Sequence, residues 1–404
     1  MDRLIRDFGI VKPLQITSGG VSLLYNPLTQ KKMVSPTGAP VVQEGLAELT
    51  CGVVDIALPQ IRKYRVETTF ACNSACDYCL VYGNPLMQLG TAMKIETASG
   101  IVRRFNKEAP NGSLMLIGGE PLTNLPVVVH FIENANGTVS LFTNATQVNR
   151  NVAKFLARHN VVTYVSLDGG AEENRHRHYL DGTPTFEDTL AGLKELQDAG
   201  AKVSITCLVT NSNVRQLEEI VAFFHKGLGV DSMGLSIPHH TIRNPFQVDI
   251  VAYTEATVRL FDYAKEHGVY IDQISRILGS VVKEEFRLYA CKIVGEQRTF
   301  YPDGRETLCT KLDTLLEYRG VTASNILEKM PVYNDSCHSC EAVAVCGGGC
   351  AWDNHFSHGR DERYCHFTKA MLNKALSDIA ATAPVGHLLE PREIVANYRE
   401  MLKK

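Results

Sequence analysis

The 404-residue sequence lacks a long apolar run and lacks a strong excess of either charge. No apolar stretch approaches about 18 residues, the length of a membrane-spanning helix. The first ten residues have no basic segment followed by an apolar one, as a secretory signal would. The net charge is -3, and no basic stripe suits a phosphate backbone. We therefore expect a cytoplasmic protein with no membrane and no nucleic-acid partner.

Twelve cysteines are present, and in a reducing compartment tight cysteine spacing favours a metal or redox site over disulfides. Three of them form Cys72-x3-Cys76-x2-Cys79, with Tyr78 directly before the last. Three thiolates leave one iron of a cubane cluster without a protein ligand, whereas structural zinc usually takes four protein ligands. The spacing alone leaves iron–sulfur, zinc and unrelated cysteines open, and it favours iron–sulfur.

The chain is long enough, with 45% hydrophobic residues, for one large domain and a smaller one. Apolar runs of strand length alternate with helix-period segments such as 147–158 and 186–199, which favours parallel strands joined by helices. The pattern predicts strands at 64–71, 113–118, 138–144, 161–168, 201–210 and 232–238. Six such units predict an α/β fold, a partial (β/α)6 TIM-type barrel. Its working residues should follow the strand ends, where the cysteine loop begins.

The cysteine loop and the segment Gly118-Gly119-Glu120-Pro121 together resemble the radical S-adenosylmethionine (SAM) family. Two glycines let the backbone approach a ligand closely. The resemblance implies that this turn, on the loop after the second strand, receives the amino group of the SAM methionine. An ordinary turn at a strand end is the alternative for this segment taken alone.

Two more strand ends are similar to family segments that line the adenosyl pocket. The resemblance places Thr143 and Asn144 near the cluster and SAM, adds Tyr78 to the cofactor contacts, and makes Ser166 and Asp168 contacts to the ribose hydroxyls. A turn or helix-cap role is the alternative for Asp168.

The resemblance also implies a reaction. The open iron chelates the amino and carboxylate groups of SAM, an electron breaks the S–C5′ bond, and a 5′-deoxyadenosyl radical abstracts a hydrogen from the substrate. The cofactor supplies this chemistry, and the protein supplies orientation and the exclusion of competing reactions. A reductant such as flavodoxin or ferredoxin is expected.

Seven cysteines near the C-terminus resemble the SPASM domain of radical SAM enzymes that modify peptides, with a pair of zinc sites as the alternative. The family pattern implies an outer auxiliary cluster on four of them, Cys337, Cys340, Cys346 and Cys365. It implies an inner cluster on Cys291, Cys309 and Cys350. Residues 292–308 contain no cysteine, so the inner fourth ligand is expected to be Glu296, Gln297, a distant residue or the substrate. The expected cofactors are therefore SAM and three 4Fe-4S clusters.

The remaining candidates are less specific. His239 and His240 follow the sixth predicted strand and are candidate catalytic groups for proton transfer, with a solvated loop as the alternative. Residues 174–177 resemble a family stretch near the pocket, but surface charge is the favoured interpretation. Cys207 is expected to be an inert thiol inside a strand. Cys51 is expected to be structural, with a role as a fourth ligand or redox group as the alternative.

The predicted domains are 1–62, 63–268, 269–385 and 386–404: an N-terminal hairpin and helix region, the barrel, the SPASM domain and a helical tail. Strands at 21–25 and 32–35 and a helix at 39–49 are predicted for the first of these. A shortened peptide-recognition element, in which a leader peptide adds a strand to a sheet edge, and a structural cap are both open for it.

These features predict a radical SAM enzyme that abstracts hydrogen from a peptide or protein side chain. The most favoured outcome is a cross-link, C–C or thioether, in a ribosomally synthesised peptide. The first alternative is the oxidation of Cys or Ser to formylglycine, as in anaerobic sulfatase maturation. A non-catalytic iron–sulfur or zinc-binding scaffold is the alternative from another class.

Overall fold

The computed structural model describes residues 3–41, 43–81, 91–240, 245–327 and 335–403. The chain forms two compact units, each assembled from segments far apart in the sequence. The first unit holds Met1–Pro59, Ile250–Cys291 and Leu327–Lys404, and the second holds Gln60–Asp249 and Lys292–Ile326. The predicted division into four consecutive domains stays a prediction.

The N-terminal part of the first unit contains two small antiparallel sheets. Strand β1 (Arg3–Asp7) pairs with β5 (Val53–Ala57), and β2 (Leu14–Ser18), β3 (Val21–Tyr25) and β4 (Lys32–Pro36) form a three-stranded sheet. The predicted hairpin is therefore β3 and β4. Helix α1 (Gln43–Thr50) begins four residues later than predicted, because Pro40 disfavours helical backbone at the residue before it.

The second unit is built on six parallel strands, each paired with its neighbour in sequence. The α/β fold with a parallel sheet is confirmed. The strands are β6 (Lys63–Glu67), β7 (Ser113–Ile117), β8 (Thr138–Thr143), β9 (Val162–Ser166), β10 (Lys202–Leu208) and β11 (Ser232–Ser236). β6 ends four residues earlier than predicted, because the following backbone bonds to residues 91–93 and 119–120 instead.

Helices connect these strands, as the periodicity predicted. They are α2 (Ile95–Glu108), α3 (Leu125–Asn134), α4 (Arg150–Arg158), α5 (Phe186–Asp198) and α6 (Leu217–Ala222). α4 begins at Arg150 rather than at residue 147. Its N-cap is Asn149, whose Oδ1 accepts from the amides of Asn151 (3.0 Å) and Val152 (3.1 Å).

The C-terminal third contributes to both units. To the first it adds α7 (Ile250–His267), β12 (Tyr270–Ile271), α8 (Asp272–Lys283) and, after residue 334, α10 (Asp335–His338), α11 (Val343–Cys346), α12 (Ala351–Phe356), α13 (Glu362–Thr382), α14 (Pro391–Val395) and α15 (Arg399–Leu402). To the second it adds β13 (Gln297–Phe300) and β14 (Glu306–Thr307), and α9 (Ala323–Leu327) lies at its end. Among the described residues, no helix is both long enough and apolar enough to span a bilayer.

β13 and β14 extend the parallel sheet beyond its first strand, which the sequence did not predict. β13 runs parallel to β6, and β14 pairs antiparallel with β13. Arg298 on β13 forms ion pairs with Glu108 of α2 (2.7 Å) and Glu306 of β14 (2.5 Å), and Arg104 contacts the same two carboxylates. This charge network holds the strand pair against the rest of the unit.

The first unit contains a fully buried lysine. Lys32 Nζ donates to the carbonyls of Gln30 (2.7 Å) and Val281 (2.9 Å) and to Glu284 Oε1 (3.0 Å). Burial lowers the pKa of Lys32, because the charged form loses its hydration. Lys31 reaches the same carboxylate (3.0 Å) from a partly exposed position.

We predict that Lys32→Met lowers the free energy of unfolding by about 2–4 kcal/mol, because buried acceptors lose their donor. Lys31→Met, the matched control, should cost about 1 kcal/mol or less, since partly exposed ion pairs contribute little. Urea unfolding measures both. Equal losses in the two variants would contradict the structural role of Lys32.

Candidate active site

The cysteine loop follows β6 and brings three thiols into a half-buried position. None of the three forms a disulfide. Burial raises the pKa of Cys72 to about 12, and the neighbouring Cys76 and Cys79 raise it further, while burial also raises the pKa of Cys76. Thiolates gathered in this way need positive charge beside them. The donor set therefore fits an iron–sulfur cluster, whose iron ions supply that charge.

Gly118 and Gly119 let the second loop lie directly against the backbone that leads into the cysteine loop. A Cβ at Gly118 would stand 2.2 Å from the carbonyl oxygen of Thr69, and one at Gly119 would stand 2.3 Å from that of Ala71. The amide of Gly119 donates to Thr69 (2.8 Å) and that of Glu120 to Ala71 (2.9 Å). The glycines thus serve a close approach within the protein. Their contact with SAM stays a prediction.

Glu120 is buried at the end of this turn, just before Pro121, with its carboxylate held by three donors. Oε1 accepts from the Leu122 amide (3.0 Å) and the Thr143 hydroxyl (2.8 Å), and Oε2 accepts from the Asn144 amide (2.7 Å). Burial nevertheless raises its pKa to about 7, because these donors are neutral. A cation such as an ammonium group would favour the charged carboxylate. Glu120 therefore fits the predicted role.

Asn144 connects the end of β8 to the cysteine loop through its side chain. Its side-chain nitrogen Nδ2 donates to Asn73 Oδ1 (2.8 Å) and to Ser74 Oγ (3.1 Å), and both of these residues lie inside the loop. Asn73 in turn donates to the Thr146 hydroxyl (2.8 Å). The structure thus brings the predicted residues Thr143 and Asn144 together with Glu120 and the cysteines.

Asp168 lies beyond the end of β9 with both carboxylate oxygens engaged by the protein. It accepts from the Tyr78 hydroxyl, from two nitrogens of Arg177 (2.9 Å each) and from the Leu208 amide (2.8 Å). Ser166 Oγ lies 3.5 Å from the Thr206 hydroxyl and is partly exposed. The ribose contacts of Ser166 and Asp168 stay predictions.

The interpretation of residues 174–177 as surface charge is wrong for two of them. Asn174 is 1% exposed and accepts from the Asp168 amide, and the Arg177 side chain is 13% exposed. Arg175 does lie at the surface, beside Glu172. A buried carboxylate requires a cation, but no spacing rule links Asp168 to an arginine nine residues later. The available signals were the opposite charges and the resemblance of this segment to a family stretch near the pocket.

His239 and His240 follow β11, and both are half-buried. Parallel strands bring their carboxyl ends to one edge of a sheet, so these residues leave the sheet at the same edge as the cysteine loop. Their catalytic role stays a prediction.

Four of the C-terminal cysteines lie together in the first unit: Cys337, Cys340, Cys346 and Cys365. Burial raises the pKa of Cys340, of Cys346 and of Cys365, the last to about 11, and the neighbouring thiols of the set raise them further. Three consecutive glycines follow Cys346 with positive φ (65°, 77° and 73°). The four thiols fit a four-cysteine cluster, as predicted for the outer site.

Three cysteines are predicted to bind the inner cluster. Of these, Cys291 and Cys350 belong to the first unit, and Cys309 belongs to the second. The proposed fourth ligands already have protein partners: Glu296 accepts from Lys292 (2.7 Å), and Gln297 donates to Thr299 (3.1 Å). The inner ligand set stays a prediction.

Residues 66–224 match the family model of the radical SAM superfamily. This match covers the cysteine loop, the turn with Glu120 and the strands that carry them. Residues 66–224 therefore form a radical SAM domain, and this domain makes the protein an enzyme. Such a domain implies SAM and a 4Fe-4S cluster as cofactors, and a non-catalytic scaffold is no longer an alternative.

Similar proteins include a cysteine-type anaerobic sulfatase-maturating enzyme of Clostridium novyi, 24% identical to this enzyme over 362 residues. That alignment covers 77% of this chain and 94% of the relative. Native anSMEcpe with bound AdoMet has the same fold, with a TM-score of 0.65, 20% identity, and coverage of 79% of this chain and 99% of that one.

Streptococcus suis SuiB bound to S-adenosylmethionine also shares the fold. The TM-score is 0.57 and the identity 14%, with coverage of 75% of this chain and 77% of SuiB. Structures exist of anSMEcpe with a Cp18Cys peptide and of SuiB with its precursor peptide SuiA.

We predict that Gly119→Ala reduces the iron retained by the reconstituted enzyme, because the added methyl group displaces the backbone before Cys72. Gly100→Ala is the matched control: nothing lies within 4 Å of the added atom, and the position is inside α2. It should leave the iron content unchanged and stabilise the helix by up to about 1 kcal/mol. Equal iron contents in the two variants would contradict the importance of the close approach.

Proposed function

We propose that this enzyme abstracts a hydrogen atom from a side chain of a ribosomally synthesised peptide and forms a C–C or thioether cross-link there. The observation that carries the proposal is the continuous hydrogen-bonded connection between the cysteine loop, Glu120 and Asn144 at the strand ends. It supports radical SAM chemistry at this edge of the sheet. The nature of the product rests on the predicted C-terminal cluster set.

Cys72, Cys76 and Cys79 would hold the cluster, and Glu120 would bind the SAM ammonium group. When bound, SAM and the reduced cluster supply a carbon radical that is strong enough to break an unactivated C–H bond. The protein would orient SAM and the substrate and would exclude water from the site. Three hydrogen-bond donors hold both carboxylate oxygens of Glu120 in place.

A peptide or protein substrate is supported by the relatives that share the fold, since two of them have been solved with peptides. The N-terminal region offers one place for such a partner. Strands β1 and β5 form a sheet of only two strands within the described part of the chain, so each has an outer edge. Leader recognition there is part of the proposal, as is a flavodoxin or ferredoxin reductant.

A second outcome is formylglycine formation. It is favoured by the similarity to the sulfatase-maturating enzyme of Clostridium novyi, which extends over 94% of that protein. Both outcomes begin with hydrogen abstraction from a side chain. A cross-link removes two hydrogen atoms from the peptide and keeps its sulfur, whereas conversion of Cys to formylglycine removes two hydrogen atoms and also replaces the sulfur by a carbonyl oxygen.

We predict that SAM binds more tightly as the pH rises from about 5.5 to about 7, by roughly tenfold per unit. The pKa of Glu120 is raised to about 7, so below that pH the carboxyl is neutral and must lose its proton to pair with the ammonium group. Equilibrium dialysis with labelled SAM measures the affinity.

Glu120→Gln should weaken binding and flatten this pH dependence. Glu108→Gln is the control, because ion pairing lowers the pKa of Glu108 to about 2 and it does not titrate in this range. An unsubstituted enzyme whose SAM affinity does not vary with pH would contradict the role of Glu120.

We predict that Cys76→Ala abolishes the release of 5′-deoxyadenosine and removes about four of roughly twelve iron atoms per chain. Cys51→Ala, which replaces another partly exposed thiol, should change neither the deoxyadenosine release nor the iron content.

The unsubstituted enzyme is then given peptides encoded beside its gene and cysteine peptides from sulfatases, and mass spectrometry identifies the product. Loss of two hydrogens with the sulfur retained supports cross-linking. Loss of two hydrogens together with exchange of sulfur for oxygen supports formylglycine formation, and unchanged deoxyadenosine release by Cys76→Ala would refute both.

A further inference from the structure

Asp168 and Arg177 form a buried charge pair that contacts Tyr78 in the second half of the cysteine loop. Asp168 is 1% exposed, and the side chain of Arg177 is 13% exposed. Arg177 binds the carboxylate with two nitrogens, Nε to Oδ2 and Nη2 to Oδ1, each at 2.9 Å. This two-pronged geometry fixes both groups. Because they are shielded from water, their charges act on their surroundings more strongly than surface charges do.

Tyr78 connects the pair to the cluster ligands. Its hydroxyl donates to Asp168, and the guanidinium carbon of Arg177 lies 5.4 Å from the centre of its ring. Tyr78 stands two residues after Cys76 and directly before Cys79. Asp168 and Arg177 therefore contact the segment that carries two of the three cluster ligands.

The carboxylate of Asp168 accepts from four donors of the protein. It accepts two hydrogen bonds from Arg177, one from Tyr78 and one from the Leu208 amide. Its own amide donates to Asn174. These contacts favour a role in holding Arg177 and Tyr78.

The two charges lie close to the cluster ligands, because both contact Tyr78, which directly precedes Cys79 and follows Cys76 by two residues. A cluster becomes more negative when it accepts an electron. A buried cation beside it stabilises that reduced state, and a buried anion destabilises it.

We propose that Arg177 is a positioning residue which, together with Asp168, holds Tyr78 in place and sets the reduction potential of a cluster bound by Cys72, Cys76 and Cys79. Arg177 favours the reduced cluster, and Asp168 favours the oxidised one. The inference rests on the cluster of the proposed function and is independent of the substrate and of the bond formed.

The test is a redox titration of the reconstituted holoenzyme, followed by electron paramagnetic resonance. The signal that changes on adding SAM reports the cluster on the cysteine loop and separates it from the auxiliary clusters. Four variants are compared with the unsubstituted enzyme: Arg177→Gln, Arg177→Lys, Asp168→Asn, and the double variant Arg177→Gln with Asp168→Asn. Iron content and thermal unfolding are measured for each.

Arg177→Gln should shift the reduction equilibrium at least tenfold towards the oxidised cluster, which is about 59 mV for one electron. Asp168→Asn should shift it in the opposite direction. The double variant should lie near the unsubstituted enzyme, and Arg177→Lys should restore most of the potential because it keeps the charge.

If Arg177→Gln does not fold, Asp168→Asn is compared with the double variant. These two differ only in the charge at position 177, so the same difference in potential is expected between them. Shifts of the same sign in Arg177→Gln and Asp168→Asn, or equal potentials in all variants, would overturn the proposal. An unsubstituted enzyme without any SAM-responsive signal would instead overturn the cluster assignment, which is a separate failure.

Discussion

The candidate site depends on a backbone contact that only glycine allows. Gly118 and Gly119 lie so close to the carbonyls of Thr69 and Ala71 that any side chain would overlap them. This contact joins the loop after β6, which carries the cysteines, to the loop after β7, which carries Glu120. Side-chain bonds from Asn144 then add the loop after β8. Three strand ends are thereby fixed relative to one another before any cofactor binds.

Two buried carboxylates at this edge of the sheet have opposite electrostatic surroundings. Asp168 is paired with Arg177 inside the protein. Glu120 accepts hydrogen bonds from neutral donors, and burial raises its pKa to about 7. Burying a carboxylate without a cation costs stability. The difference between the two has a physical reason if Glu120 receives its cation from a ligand, because Asp168 already has a cation in Arg177.

Four of the C-terminal cysteines, all in the first unit, also lie close to one another. Burial raises the pKa of Cys340, of Cys346 and of Cys365, and neighbouring thiols of the set add to the rise. Cys337 and Cys346 lie on the short helices α10 and α11, Cys365 lies on the longer helix α13, and three successive glycines with positive φ follow Cys346. The four thiols have the composition of a complete ligand set. The prediction for Cys291, Cys309 and Cys350 differs, because it assigns only three cysteines to an inner cluster.

The sequence by itself determined the parallel α/β architecture, the cysteine loop and the motif that contains Glu120, because strand periodicity and close motif spacing are local properties of the chain. It could not reveal β13 beside β6, because that pairing joins residues more than 200 positions apart. It also placed Arg177 at the surface. Only the tertiary structure showed that the glycines face neighbouring backbone and that Arg177 is buried against Asp168. Such contacts depend on which segments fold together, and no local pattern encodes them.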